Sequence, residues 1–194
     1  MALILLLFST AVRSGNYEVD ASAALRPDAL HDLFSDLKRA ERVTTDFFKG
    51  KPPRLVRIVV CPTTYDFCAL TGLAYWRSAR TVDSTIYLQP LRVLADRQIT
   101  RTTISHEFVH LMLRGRRPAL WLEEGLAVYL SGEIKNLAAS TGSRIESDPL
   151  RIANLLRSSN PDSAKQGYLS AYMKTRKIID ASGRDGIIKI INHT

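Results

Sequence analysis

His106, Glu107 and His110 are the residues whose types and spacing most directly suggest chemistry. On a helix, residues four apart project from one face, one turn apart, so the two imidazoles would stand side by side. Two neutral imidazoles so placed make half of a tetrahedral zinc site. Glu107 lies about 100° further round, beside a metal rather than under it, where a general base is wanted. A third ligand has to come from another segment. Glu124, within Trp121-Leu122-Glu123-Glu124-Gly125, is the candidate.

Helix geometry accommodates that assignment. Gly115 reads as a helix C-cap and Pro118 as the first position of a new helix, giving a tight helix–turn–helix. If the first helix ends near Leu113, His110 and His106 lie about 4.5 Å and 10.5 Å from its end, and Glu124 lies about 9 Å along the second helix. In an antiparallel pair the three groups then sit at matching depth. Ile104, Phe108, Leu111 and Met112 fall opposite the histidines and predict a core-facing side. A helical glycine costs about 1 kcal/mol relative to alanine. Gly125 therefore needs a reason, and close approach of the metal helix or room for a substrate would supply one.

His106-Glu107-Phe108-Val109-His110 followed by Trp121-Leu122-Glu123-Glu124-Gly125-Leu126-Ala127 resembles the gluzincin zinc metallopeptidases. In particular it is similar to the peptidase MA-like domain, with its short strand, His-Glu-x-x-His and Trp-Leu-x-Glu-Gly-Leu-Ala. The motif-bearing part runs from Leu55 to Leu130. The resemblance implies zinc held by His106, His110 and Glu124, with Glu107 as general base on a zinc-bound water in peptide-bond hydrolysis. It implies an α+β, zincin-like fold, mostly helical, with a small sheet packed against the metal-binding helix. A tyrosine often stabilises the oxyanion in related peptidases. Tyr168 is favoured for that role and Tyr172 is the alternative, although both also fit as core aromatics. In such proteins a strand placed like Ser84 to Gln89 borders the cleft, and an exposed sheet edge can take an extended peptide as a further strand.

Two departures from the family pattern stand out. Many gluzincins carry an acid four residues after the ligand glutamate to orient a histidine, and here that position is Val128. Metal-bound imidazoles need such a partner, so Glu123, a backbone carbonyl or water has to substitute. The aminopeptidase Gly-x-Met-Glu-Asn motif is missing, which argues against that activity.

The 194 residues read as one domain, 45% hydrophobic and 24% charged, with a net charge of +8. This balance suits anionic surroundings, such as a membrane surface or cell-wall polymer, without selecting one. No specific nucleic-acid motif accompanies the scattered basic residues. The cluster Arg114, Arg116 and Arg117 reads as a solvated turn. Residues 1–14, with the apolar run Ala2 to Phe8 before Ser9-Thr10-Ala11, resemble a signal peptide lacking a basic start. They suggest a secreted, periplasmic or cell-envelope protein, leaving 15–194 as the metallopeptidase domain. Cys61 and Cys68 could pair there or remain separate buried thiols.

Along the chain, Gly15 to Arg26 reads as a loop and Pro27 to Phe48 as a helix closed by Gly50. Leu55 to Cys61 reads as a buried strand, Pro62 to Leu70 as a short helix, and Ala74 to Thr81 as a turn or short strand. Ser84 to Gln89 alternates as a half-buried strand, with Gln89 on the outer face. Later helices are expected over Leu91 to Arg97, Pro149 to Leu156, Ser163 to Ala181 and Ile187 to Ile191. The expected partner is a peptide or protein substrate. The competing expectation is a zinc-containing binding or assembly protein of the cell envelope that has lost turnover. A basic nucleic-acid binder is a weaker third.

Overall fold

The computed structural model describes residues 10–21, 25–138 and 145–193. The fold is α+β, with helix over more than half of those residues and one mixed five-stranded sheet. The strands are β1 (Thr10–Ser14), β2 (Tyr17–Ala21), β3 (Val56–Val60), β4 (Ala79–Val82) and β5 (Thr85–Leu88), in the order β1-β2-β3-β5-β4. β2, β3 and β5 run parallel, while β1 and β4 close the two edges antiparallel.

Alternation sets the sheet's inner face. Tyr17, Val19, Val56, Ile58, Val60, Ile86 and Leu88 are all buried. They pack against α1 (Pro27–Phe48), through Leu33, Leu37 and Ala40, and against α4 (Thr100–Leu113), through Ile104 and Phe108. Tyr17 also donates to Glu41 of α1, tying the first hairpin to that helix. The short helices α2 (Thr64–Thr71) and α3 (Leu91–Asp96) link the strands and lead into α4.

α5 (Leu120–Ser131) follows α4 after a tight turn, and α6 (Ile134–Ala138) follows α5. α7 (Pro149–Leu156) and α8 (Pro161–Asn192) complete the fold. Each begins with proline after a side-chain cap, Asp148 and Asn160. Pro suits that position because its missing N–H would have no helical partner there. α8 is broken at Gly183 (φ 66°), whose non-helical backbone separates the two helices expected on either side of it.

Several expectations change. The Gly15 to Arg26 stretch is no simple loop: Gly15 and Asn16 form the turn of the β1–β2 hairpin. Thr10 to Ser14, read as the last part of a signal peptide, form β1, while the apolar run Ala2 to Phe8 lies outside the described residues. Among the described residues no helix is long and apolar enough to cross a membrane. α5 starts at Leu120 rather than Pro118, which makes Glu124 its fifth residue. Cys61 and Cys68 are separate thiols, the first buried and the second half-buried.

The nearest neighbours of Gly125 belong to α8, not to α4 or to a substrate space. A Cβ there would lie 2.1 Å from Thr175 Oγ1 and 2.5 Å from the Ala171 carbonyl oxygen, so the glycine permits α5 to cross α8 closely. α4 carries the expected core face, but Val109 and Leu113 are buried too. Its polar stripe opens on a cleft rather than on bulk solvent.

Candidate metal centre

Two consecutive helices hold the candidate site side chains. α4 presents His106, Glu107 and His110, while α5, folded back after the turn, presents Glu123 and Glu124. Nε2 of His106 lies 3.2 Å and Nε2 of His110 3.7 Å from Glu124 Oε2. Ligand atoms from the three residues all lie within 4.8 Å of one another. Around a tetrahedral zinc with ligands at about 2.0–2.1 Å, such atoms stand about 3.4 Å apart.

The outer nitrogens explain how the rings are aimed. His106 Nδ1 contacts Glu133 Oε2 at 2.8 Å, and His110 Nδ1 contacts Glu123 Oε1 at 2.7 Å. A proton on Nδ1, donated to a carboxylate, leaves the Nε2 lone pair facing Glu124. Glu123 was one of the expected substitutes for the acid absent at Val128, and it serves His110. Glu133, beyond the C-terminus of α5, serves His106 and was not anticipated. Val128 itself is fully buried with Leu137 and Tyr172, turned into an apolar cluster.

The field matches the donor set. Burial alone would lower the His106 pKa, but Glu133 and Glu124 outweigh it and raise it well above the usual imidazole value. His110 is raised in the same way, against its burial, by Glu124 and Glu123. Burial would raise Glu124, yet the two histidines and Arg77 hold it below the usual carboxylate range, so it is ionised. A field that draws protons onto two imidazoles also draws a dication between them. Two nitrogens and one carboxylate oxygen, each imidazole backed by an acid, is a donor set that suits zinc.

Glu107 is buried beside this cluster, and Thr81 Oγ1 of β4 donates to its Oε2 at 2.6 Å. Thr81 lies in the stretch read as a turn or short strand, and nothing in its spacing marked it. Tyr168 of α8 packs edge-on against His106, with ring centroids 5.9 Å apart. Burial raises its pKa well above the ordinary phenol value, and Glu124 adds to that against the opposing pull of Arg77, so it stays protonated. Arg77 donates to its hydroxyl oxygen, leaving the phenolic hydrogen free to point elsewhere. Tyr172 instead stacks on Tyr129, with centroids 6.2 Å apart, within the Val128 cluster.

These groups line one cleft of about 800 Å³, walled by α4, α5, α8 and β4. Among the described residues β4 pairs only with β5 and forms the cleft-side edge, whereas β5 lies between β3 and β4. The strand expected to border the cleft is thus internal, and its hairpin partner takes the place. Gln89 is not on an outer face. It is fully buried, accepts from Thr64 Oγ1, and donates to the carbonyls of Tyr75 and Arg77, fixing the loop that carries Arg77.

The basic turn is only partly solvated. Arg114 donates to Ser84 Oγ and pairs with Asp83 at 3.4 Å, fastening the β4–β5 hairpin tip to the end of α4. Arg116 lies over the Phe48 ring, 5.8 Å from its centroid. No protein-family model matches the chain, and no curated protein matches it.

Proposed function

We propose that this chain is a zinc-dependent peptide hydrolase of gluzincin type, built on a zincin-like fold. The observation that carries the reading is the convergence of His106 Nε2, His110 Nε2 and Glu124 Oε2, beside Glu107, on the floor of an open cleft. His106, His110 and Glu124 would hold the metal. Bound zinc supplies a Lewis acid that polarises the scissile carbonyl and acidifies a water.

The chain's own residues do the rest. Glu107, steadied by Thr81, takes the proton from the attacking water and passes it to the leaving amine. Tyr168 turns its free hydrogen toward the carbonyl oxygen as negative charge gathers there. Arg77 keeps that phenol in place and adds positive charge behind it. The open edge of β4 aligns an extended peptide through backbone hydrogen bonds, which asks little of the substrate's sequence. The apolar run Ala2 to Phe8, read as an export signal, suggests the cell envelope or exterior as the place of action.

The test is Glu107→Gln, which keeps the size of the side chain and removes the base. Zinc content should remain equal to the parent's, and cleavage of an unstructured protein should fall by at least about a hundredfold. Cleavage at the parent's rate would overturn the mechanism. A parent protein that binds zinc tightly and cleaves nothing across a broad peptide library would instead indicate a zinc-containing binding or assembly protein.

A further inference from the structure

The charges along the cleft are distributed unevenly. Its acids are already engaged: Glu123, Glu124 and Glu133 with the histidines, Glu107 with Thr81 and Asp83 with Arg114. The cations at the Tyr168 end are not balanced in the same way. Lys165 and Tyr168 are three apart on α8 and both line the cleft. Arg77 joins this end to the last turn of α7 by donating to Tyr168 and, at 2.9 Å, to the Leu156 carbonyl. Arg157, next in sequence, is exposed and also lines the cleft.

Among the described residues Arg77 and Arg157 make no ion pair. The partner of Lys165 is Asp162, 3.8 Å away with 88% of its side chain exposed to solvent. Such a pair is weak and readily exchanged for a better acceptor. One end of the cleft therefore carries two solvent-accessible cations, Arg157 with no ion-pair partner among the described residues and Lys165 with only a weak one, backed by Arg77, which is held by Tyr168 and the Leu156 carbonyl.

Resting on the peptide-hydrolase reading above, the geometry points to a carboxylate-selecting subsite formed by Arg157 and Lys165, with Arg77 at its inner wall. A peptide lying in the cleft offers two groups of this chemistry: an Asp or Glu side chain, and its own C-terminal carboxylate. Arg157 provides a planar fork that can grip both oxygens, and Lys165 a compact point charge on a flexible stem. Selectivity arises here because the neutral side chains of other peptides leave Arg157 unpaired and Lys165 with only its weak surface partner.

The experiment uses the zinc-loaded protein and one neutral fluorescent peptide in three forms: amidated, with a free C-terminus, and amidated with a single internal Glu. Cleavage is followed with the parent, and binding by fluorescence anisotropy with the Glu107→Gln protein. At least one carboxylate-bearing form should be preferred over the amidated neutral form by about tenfold at low salt, and the favoured form identifies the source. In Arg157→Gln/Lys165→Gln the ratio should fall to about twofold, and salt should shrink it in the parent. Both substitutions are at solvent-accessible positions, and unchanged circular dichroism shows that they fold.

Cleavage and binding of all three forms alike would overturn the subsite while leaving the hydrolase reading intact. If the parent cleaves nothing but the carboxylate forms still bind preferentially, the subsite stands and the hydrolytic reading fails. Tighter binding of a short single-stranded oligonucleotide than of every peptide would overturn the assignment to a peptide carboxylate.

Discussion

Replacing Glu133 with alanine removes the carboxylate that contacts His106 Nδ1 at 2.8 Å. His106 is buried, so little else near Nδ1 can take over the bond. An acid behind a metal-bound imidazole fixes its tautomer and orientation and strengthens the opposite nitrogen as a donor. Losing it lowers metal affinity about 10–100-fold. The Glu133 side chain is 30% exposed, so water can partly replace it. That places the loss at the lower end, about 10–30-fold, or about 1.4–2 kcal/mol. Glu133→Gln keeps an oxygen acceptor without the charge and should lose less, about 3–10-fold. The assay is competition for zinc against a chromophoric chelator at fixed pH, with melting of both metal-free proteins as a control. A dissociation constant within twofold of the parent's for Glu133→Ala, in a folded protein, would refute this role and leave His106 without a purposeful partner.

Other outcomes follow from the same geometry. Thr81→Val removes the hydroxyl that steadies Glu107 and should lower kcat about 3–10-fold while zinc affinity stays at the parent value, read from steady-state kinetics and zinc competition. Gly125→Ala places a Cβ 2.1 Å from Thr175 Oγ1 and 2.5 Å from the Ala171 carbonyl. Strain should outweigh the gain of about 1 kcal/mol in helix propensity and lower stability by about 2 kcal/mol net, a fall of roughly 4–8 °C in Tm, and an unchanged Tm would contradict the close crossing. Burial, with smaller contributions from Asp66 and Cys68, pushes the Cys61 thiol up to about 11. At pH 8 it should therefore be overwhelmingly protonated and react with iodoacetamide far more slowly than a free thiol, as peptide mass spectrometry would report, and rapid labelling in the folded protein would contradict that environment.

The sequence carried the His106, His110 and Glu124 cluster because its parts are local. His106 and His110 are one helical turn apart, and Glu124 lies just past a short turn, so periodicity and rise per residue almost fix their meeting. Where a single element had a clear period, as in α1, β3, β5 and α4, its bounds came within a few residues. The supporting residues were hidden for a different reason. Glu133, Thr81, Arg77 and Gln89 act across 27, 26, 91 and up to 25 positions of chain, and no periodicity links them to the histidines. The acid behind His106 stands at position 133, beyond the end of α5, where helical spacing cannot find it.

Two misreadings had signals that could have corrected them. Gly15-Asn16 between Val12 and the alternating Tyr17 and Val19 is a two-residue hairpin turn, obscured by Arg13, Glu18 and Asp20 on the outer face. The cost of a helical glycine at Gly125 pointed to a close approach, but to the helix carrying the histidines or to a substrate rather than to α8. Glu124 faces the histidines, while the Gly125 backbone meets α8. Neighbouring letters need not share a function.

Zinc-edge X-ray absorption on the protein loaded with one equivalent of zinc tests the centre most directly. Only nitrogen and oxygen neighbours at about 2.0–2.2 Å are expected, with the outer-sphere signal of two imidazoles, and loss of one nearest neighbour's contribution in Glu124→Ala. A sulfur neighbour near 2.3 Å would place the metal at a cysteine instead. Either that result, or a spectrum without imidazole scattering, would contradict the proposed site.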